Sequence, residues 1–266
     1  QVLQRLTQSP LESKMIAARP SESNHWYSKD GTPMYTVPAK SGEQRATTLR
    51  DAKKMGLLPS VTTIMKSAAS PGLEAWKLNQ MMLAALTLPR VDGESEESFI
   101  KRVQVDSREQ ARKAAERGTE VHAAIERFFD GQIQADALPY LEPVYKKVEE
   151  SFGILTWAAE KSFAFEGFAG KVDLHSLDGD GVVIDFKTKE FTSETLDKAA
   201  GFDENCMQLS AYRIGLQIPK ARCANVFVSV TEPGLVVVKE WNEEELMRGW
   251  KMFDALKTYW YAKSGL

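Results

Sequence analysis

The sequence predicts an α/β (α+β) fold, a mixed central sheet flanked by helices, with a helical extension on its N-terminal side. Three observations carry this expectation. The apolar spacing changes from a period of about four to a period of two after Phe152. The elements then run helix, three strands, helix, strands, helix, an order that packs helices on a mixed sheet. Finally, 266 residues with 43% hydrophobic positions can bury one substantial core.

Residues 1–57 read as an irregular extension. Within it, His25-Trp26-Tyr27 and Met34-Tyr35-Thr36-Val37 flank Asp30-Gly31, a hairpin-turn signal. Ser60 offers a helix N-cap before Val61, and Gly72-Leu73 opens a helix reaching about Leu88. The acidic stretch from Asp92 to Glu97 reads as an exposed loop. From Ser98 to Phe129 the composition is helical, with a breaker only at Gly118 and an apolar stripe of Val121, Ala124, Ile125 and Phe128. The helical part at 72–117 belongs to a main domain spanning 58–266. A further helix covers Leu141 to Phe152. Strands follow at Trp157 to Phe165, Gly170 to Ser176 and Val182 to Thr188, joined by short Gly-containing turns. A helix at Asn205 to Leu216 precedes strands at Cys223 to Val230 and Leu235 to Glu240, and Asn242 caps a last helix ending near Lys263.

The net charge of -3 argues against a protein that coats nucleic acid by bulk electrostatics, although a local basic channel is compatible with it. No segment approaches the ~18 consecutive apolar residues of a membrane span, so a soluble intracellular protein without a membrane partner is expected. A removed targeting segment ahead of Gln1 is compatible with the sequence. Cys206 and Cys223 lie far from any CxxC pattern and read as two buried thiols. No P-loop is present, so any unwinding would fall to a helicase, annealing or replication partner.

The chemistry concentrates on one hairpin. Residues two apart in a strand share a face, so Asp185 and Lys187 point one way while Ile184 and Phe186 point the other. If the turn centres on Gly179, Asp173 and Asp185 are equidistant from it and stand opposite each other, with β-carbons ~5 Å apart. Like charges so placed are destabilising, and a cation should sit with them: Lys187, a divalent metal, or both. Carboxylate oxygens suit Mg²⁺ or Mn²⁺, which stabilise charge on a phosphate under attack. Lys187 would hold or deprotonate the attacking water, or neutralise the phosphate. On spacing alone this competes with a solvated, charged hairpin.

At these residues the sequence resembles the PD-(D/E)XK nuclease superfamily. Gly170-Lys171-Val172-Asp173 looks like its GxxD strand and Asp185-Phe186-Lys187 like its (D/E)xK strand, with Asp in place of the commoner Glu. Three further segments are similar to the RecB-like branch. Gly118 to His122 with Glu126 resembles a GxxxH…E helix whose histidine is a metal ligand. Gln208 to Tyr212 matches a QxxxY pair that helps to place DNA, and Glu160 stands where the branch often has a glutamate. Leu58-Pro59-Ser60-Val61-Thr62-Thr63 and Leu73 to Lys77 look like a segment of mitochondrial genome maintenance exonuclease-type proteins and their phage relatives. The resemblance thus covers the chain from about Leu58 to the last helix.

It implies a restriction-endonuclease-like core and a metal-dependent exonuclease acting on free ends of single-stranded DNA, with roles in repair or recombination. The alternatives are an endonuclease, a duplex-end exonuclease, or a silent DNA-binding relative. The implied centre is catalytic Asp173, Asp185 and Lys187, with Mg²⁺ or Mn²⁺ held by His122, Asp173, Asp185 and the Phe186 carbonyl. The resemblance also implies that Gln208, Tyr212, Glu126, Glu160, Ser60 and Thr62 bind DNA or support the site, and the spacing of Arg112 and Arg117 on their helix adds them as candidate DNA contacts. Related proteins carry an iron–sulfur cluster on four cysteines; with two, none is expected here.

Each residue has a plainer reading as well. A histidine beside an apolar stripe is usually packed in a core, and Gln208 and Tyr212 fit a helix surface. Glu126 orients His122, holds a water, or is an exposed acid. His175 shares the face of Asp173 without support from a motif. Arg108, Arg112, Lys113 and Arg117 form a basic flank that could follow phosphates, diluted by Glu109 and Glu116. Trp26, Tyr27, Tyr35 and Trp76 stack on bases or simply pack.

Overall fold

The computed structural model describes residues 25–69 and 71–266. The first 24 residues of the N-terminal extension therefore lie outside the described residues.

The described chain opens with β1 (Trp26–Tyr27), β2 (Thr36–Pro38), β3 (Gln44–Ala46), α1 (Leu49–Met55), β4 (Leu58–Pro59) and α2 (Val61–Met65). The stretch before Leu58 is thus more regular than its sequence suggested. Asp30-Gly31 does turn the chain, with Gly31 at φ 87°, but β1 pairs with β4 and β2 with β3. The overlooked helix α1 carries a reciprocal capping box, Thr48 with Asp51, and ends at left-handed Gly56, a signal readable in the sequence. Trp26 is fully buried against Trp260, while Tyr27 and Tyr35 are buried and share a hydroxyl hydrogen bond of 2.7 Å. These three aromatics are packing residues, and the base-stacking alternative is withdrawn for them; Trp76 remains exposed.

Next come α3 (Pro71–Thr87) and α4 (Glu96–Phe129). Gly118 does not break α4, because helical backbone is open to glycine at a modest cost and tertiary contact supplies the reason for it. A β-carbon at Gly118 would lie 2.8 Å from Thr188 Oγ1, so the missing side chain lets the helix approach the sheet. Helix α5 (Leu138–Phe152) follows.

The sheet consists of β5 (Trp157–Phe165), β6 (Phe168–Ser176), β7 (Val182–Lys189), β8 (Arg222–Ser229) and β9 (Val236–Trp241), hydrogen-bonded in that order. Among the described strands of this sheet, only the neighbours β7 and β8 run parallel, joined through α6 (Asp203–Gly215); α7 (Glu243–Ser264) closes the chain. This is the mixed sheet with flanking helices that the period change predicted. One core, with Phe168, Val172, Leu209, Phe253 and Trp260, lies on the side of α2, α6 and α7. The other, with Ile125, Phe128, Leu141, Ile184, Phe186 and Val226, lies on the side of α4 and α5. The sheet therefore has helices on both faces.

One departure from regular pleating positions the site. On β5, Trp157 and Ala159 face the α4–α5 core, whereas Phe163 and Phe165 face the α6–α7 core. On β6, Val172 and Leu174 are divided the same way. Residues two apart should share a face, so both strands rotate between these positions. Glu160, with left-handed φ 55°, is the backbone cause, and the residue that the β5–β6 register sets opposite it is Asp173. A local twist that re-aims side chains is what bulge-like distortions beside functional sites accomplish.

Candidate functional site

The β6–β7 hairpin keeps a register centred on Gly179, pairing Leu174 with Ile184 and His175 with Val183. Extending that register by one step would set Asp173 against Asp185, but the paired ladder ends at Leu174. Beyond it, Phe186 donates its backbone N–H to Asp173 Oδ2 at 3.0 Å, the carboxylate replacing the missing strand partner. A strand residue points its N–H and C=O to the same edge, so the Phe186 carbonyl also faces the splayed gap. The Phe186 side chain is buried in the α4–α5 core.

Helix α4 brings up the second set of groups. Its buried stripe, Val121, Ala124, Ile125 and Phe128, seats the helix, and His122 and Glu126 follow one turn apart on the flank of that stripe. His122 Nε2 lies 3.1 Å from Asp173 Oδ2, and Nδ1 lies 3.0 Å from Glu126 Oε1. Desolvation would push the imidazole down, yet the carboxylates of Asp173 and Glu126 outweigh it and raise its pKa to about 10. Donor atoms of His122, Glu126 and Asp173 lie within 4.8 Å of one another, close enough to share one ion.

Asp185 is not part of that trio. It is 1% exposed and turned towards α6, where Lys187 Nζ lies 2.9 Å from Oδ1 and 2.7 Å from Oδ2. Asn225, its register partner on β8, donates to Oδ2 at 2.8 Å and in turn accepts from the Trp241 indole N–H at 2.7 Å. Burial pushes the Asp185 carboxyl upward, Lys187 opposes this and Asp173 adds to it, leaving it above the ordinary range. Lys187 also donates to Gln208 Oε1 at 3.1 Å, and Gln208 donates to the Tyr212 hydroxyl at 2.8 Å. Gln208 and Tyr212 are buried, not the helix-surface pair of their plainer reading. Gly170 leaves the room they need, since a β-carbon there would lie 3.0 Å from the Tyr212 ring and closer still to Phe163.

The centre thus has two halves meeting at the open end of the hairpin: His122, Glu126 and Asp173 on the α4 side, Asp185, Lys187, Gln208 and Tyr212 on the α6 side. Asp173 and Asp185 are not paired across the ladder, which ends at Leu174: Asp173 contacts His122 and the Phe186 N–H, yet lies near enough to Asp185 to help raise its carboxyl. Glu160 is ion-paired with Lys171, both largely buried. His175 is buried beside Val183, and no contact joins it to the cluster.

Ser60 serves as the N-cap of α2, accepting from Thr63 N at 3.0 Å and touching Thr62 Oγ1 at 3.0 Å, while a bridge to Ala169 ties it to β6. On the basic flank, Arg112 is clamped by Glu109 and Glu116, and Lys113 lies 3.9 Å from Glu109, so much of that charge is neutralised within the helix. Arg108 and Arg117 are exposed. Sequence reading passed over Asn225 and Trp241. The available signal was an asparagine inside the apolar run from Cys223 to Val230, where a buried amide demands a partner.

No protein-family model matches the chain, and no curated protein matches its sequence. Among solved structures, it is similar to SSO0001 at 17% identity and TM-score 0.25, over 46% of this chain and 57% of that one. It is also similar to an alkaline exonuclease, LHK-Exo from Laribacter hongkongensis, at 15% identity and TM-score 0.30, over 70% of this chain and 92% of that one.

Proposed function

We propose that this chain is a metal-dependent DNA nuclease that hydrolyses phosphodiester bonds, working as an exonuclease on free ends of single-stranded DNA. The observation that carries the reading is the convergence of His122, Asp173, Asp185 and Lys187 where the β6–β7 ladder opens. The preference for single-stranded ends rests on the sequence resemblance to maintenance-type exonucleases.

The donor chemistry fits a divalent ion. Asp173 and Glu126 already attract a positive charge strongly enough to hold His122 protonated well above neutral pH, and an imidazole with hard carboxylate oxygens suits Mn²⁺ as well as Mg²⁺. His122, Asp173, Asp185 and the Phe186 carbonyl are the proposed ligands, with Glu126 orienting the imidazole from its other nitrogen. When bound, such an ion supplies positive charge to a phosphate under attack and lowers the pKa of water.

The remaining work belongs to the chain. Lys187 directs two of its protons to Asp185 and Gln208, which fixes the ammonium and leaves a third for the attacking water and the phosphate oxygens. Gln208 is itself fixed by Tyr212, so the QxxxY pair acts by holding the lysine. Exposed Arg108 and Arg117 offer phosphate contacts along α4.

The test is cleavage of end-labelled linear, end-blocked and circular single-stranded DNA with Mg²⁺, with Mn²⁺ and with a chelator, alongside calorimetric titration of Mn²⁺ into the protein alone. The reading expects Mn²⁺ binding, metal-dependent loss of linear substrate and an intact circle. Cutting of the circle would make the enzyme an endonuclease; absence of both Mn²⁺ binding and cleavage would remove the proposal.

A further inference from the structure

Asp185 is almost fully buried, and a carboxylate with rotational freedom in such a place would face the gap in several orientations. Lys187 holds it from the α6 side, and β8 holds it from behind. Asn225 occupies the register position beside it on β8, is fully buried, and gives Asp185 Oδ2 a hydrogen bond of 2.8 Å. An asparagine amide can be turned either way, presenting an oxygen or an NH₂ group to its neighbour. Here the choice is forced. Trp241, itself buried, points its indole N–H at Asn225 from 2.7 Å, and an indole nitrogen only donates. The amide oxygen must therefore face Trp241 and the NH₂ group must face Asp185. With the amide reversed, two donors and two acceptors would each confront their own kind inside the core.

We propose that Trp241 and Asn225 form a positioning relay for the nuclease centre: the indole N–H fixes the amide, and the amide fixes the carboxylate of Asp185 at the angle needed for metal. The inference rests on the reading of the site as a nuclease centre. Neither residue touches a reacting atom; both act through Asp185. The relay also explains why β9, on the far edge of the sheet from β5 and two strands from the hairpin, bears on the chemistry.

The test is calorimetric titration of Mn²⁺ into the full chain for the wild type, Trp241→Phe, Asn225→Ala and the double variant, with melting curves recorded for each. Trp241→Phe deletes the N–H and one ring of the bicycle, and its melting curve registers the lost packing separately from metal affinity, so it tests the relay even if Asn225→Ala fails to fold. Removal of an outer partner of a metal ligand typically costs roughly 10–100-fold in metal affinity, and a loss in that range is expected for Asn225→Ala, with a smaller loss for Trp241→Phe. Because Trp241 acts through Asn225, the double variant should bind no more weakly than Asn225→Ala alone. Losses that add in the double variant would overturn the relay, as would lowered melting temperatures with unchanged Mn²⁺ affinity. A wild type that binds no Mn²⁺ and cuts no DNA would overturn the underlying reading. Wild-type binding and cutting with unaffected variants would overturn the relay alone.

Discussion

His122 carries a carboxylate on each ring nitrogen, and the resulting pKa of about 10 means that a proton occupies the position a metal would claim. An imidazolium has no free lone pair, so binding of a metal there must release the proton. The sign follows: Mn²⁺ affinity should rise with pH up to about 10, where the free imidazole loses its proton, and then level off. Calorimetry in buffers of different ionisation enthalpy should register about one proton released per ion near neutral pH. In His122→Gln the pH dependence should flatten and affinity should fall by at least about tenfold; a pH dependence identical to wild type would remove His122 from the ligand set. Lys187 makes a separate test, because its partners hold it without help from His122. Lys187→Ala should lower the cleavage rate by roughly 10²–10³-fold, in the range seen when one positioned electrostatic donor is removed. DNA binding in an equilibrium shift assay should be nearly unchanged, and full activity in this variant would sink the mechanism.

Helix α4 must lie close to β7 for His122 to reach Asp173, and Gly118 sets that approach. A methyl group there would meet the Thr188 hydroxyl at 2.8 Å; overpacking of about 1–3 kcal/mol outweighs the roughly 1 kcal/mol that alanine gains over glycine in a helix, so Gly118→Ala should cost up to about 2 kcal/mol in urea denaturation. Thr188→Ala in the same chain should recover most of that cost together with Mn²⁺ affinity, because it restores the space and not the residue. If the pair is no better than Gly118→Ala alone, the helix–strand contact is not what Gly118 protects. The elements themselves were legible to different degrees. The three strands after Phe152 announced themselves because their alternation is sharp, and α6 and α7 because their apolar spacing is helical. Helix α1 was hidden by its polar residues Arg50, Asp51, Lys53 and Lys54, which leave only Ala52 buried, although its caps were visible. The motif residues of the site could be named from order and spacing. Their division into two halves could not, since it depends on the β6–β7 ladder ending at Leu174, short of the two aspartates. Nor could the Asn225–Trp241 contact, which links residues on neighbouring strands by a register no local pattern encodes.

The ends of the described chain meet in one core. Trp26 on the first strand packs on Trp260 in the last helix at 5.9 Å between ring centres, and both belong to the same buried cluster as α6 and the inner strands. Such an arrangement predicts that this half of the molecule opens as a unit, and the two cysteines report on it. Cys206 on α6 directs its sulfur towards Glu245 O on α7, at 3.1 Å, and Cys223 lies on β8 beneath α6. Both are fully buried, and desolvation raises both thiols, Cys223 to about 12. The thiolate is the reacting species, so burial suppresses both access and ionisation. A disulfide reagent should therefore leave both thiols unmodified in native buffer. With added urea, both should become reactive along the same curve that circular dichroism gives for unfolding, because only the opening of the shared core exposes either one. Separate mass-spectrometric quantification of the two peptides makes the outcome specific. If Cys206 reacts at urea concentrations where Cys223 is still protected, α7 detaches before the sheet opens, and the core is two cooperative units in place of one.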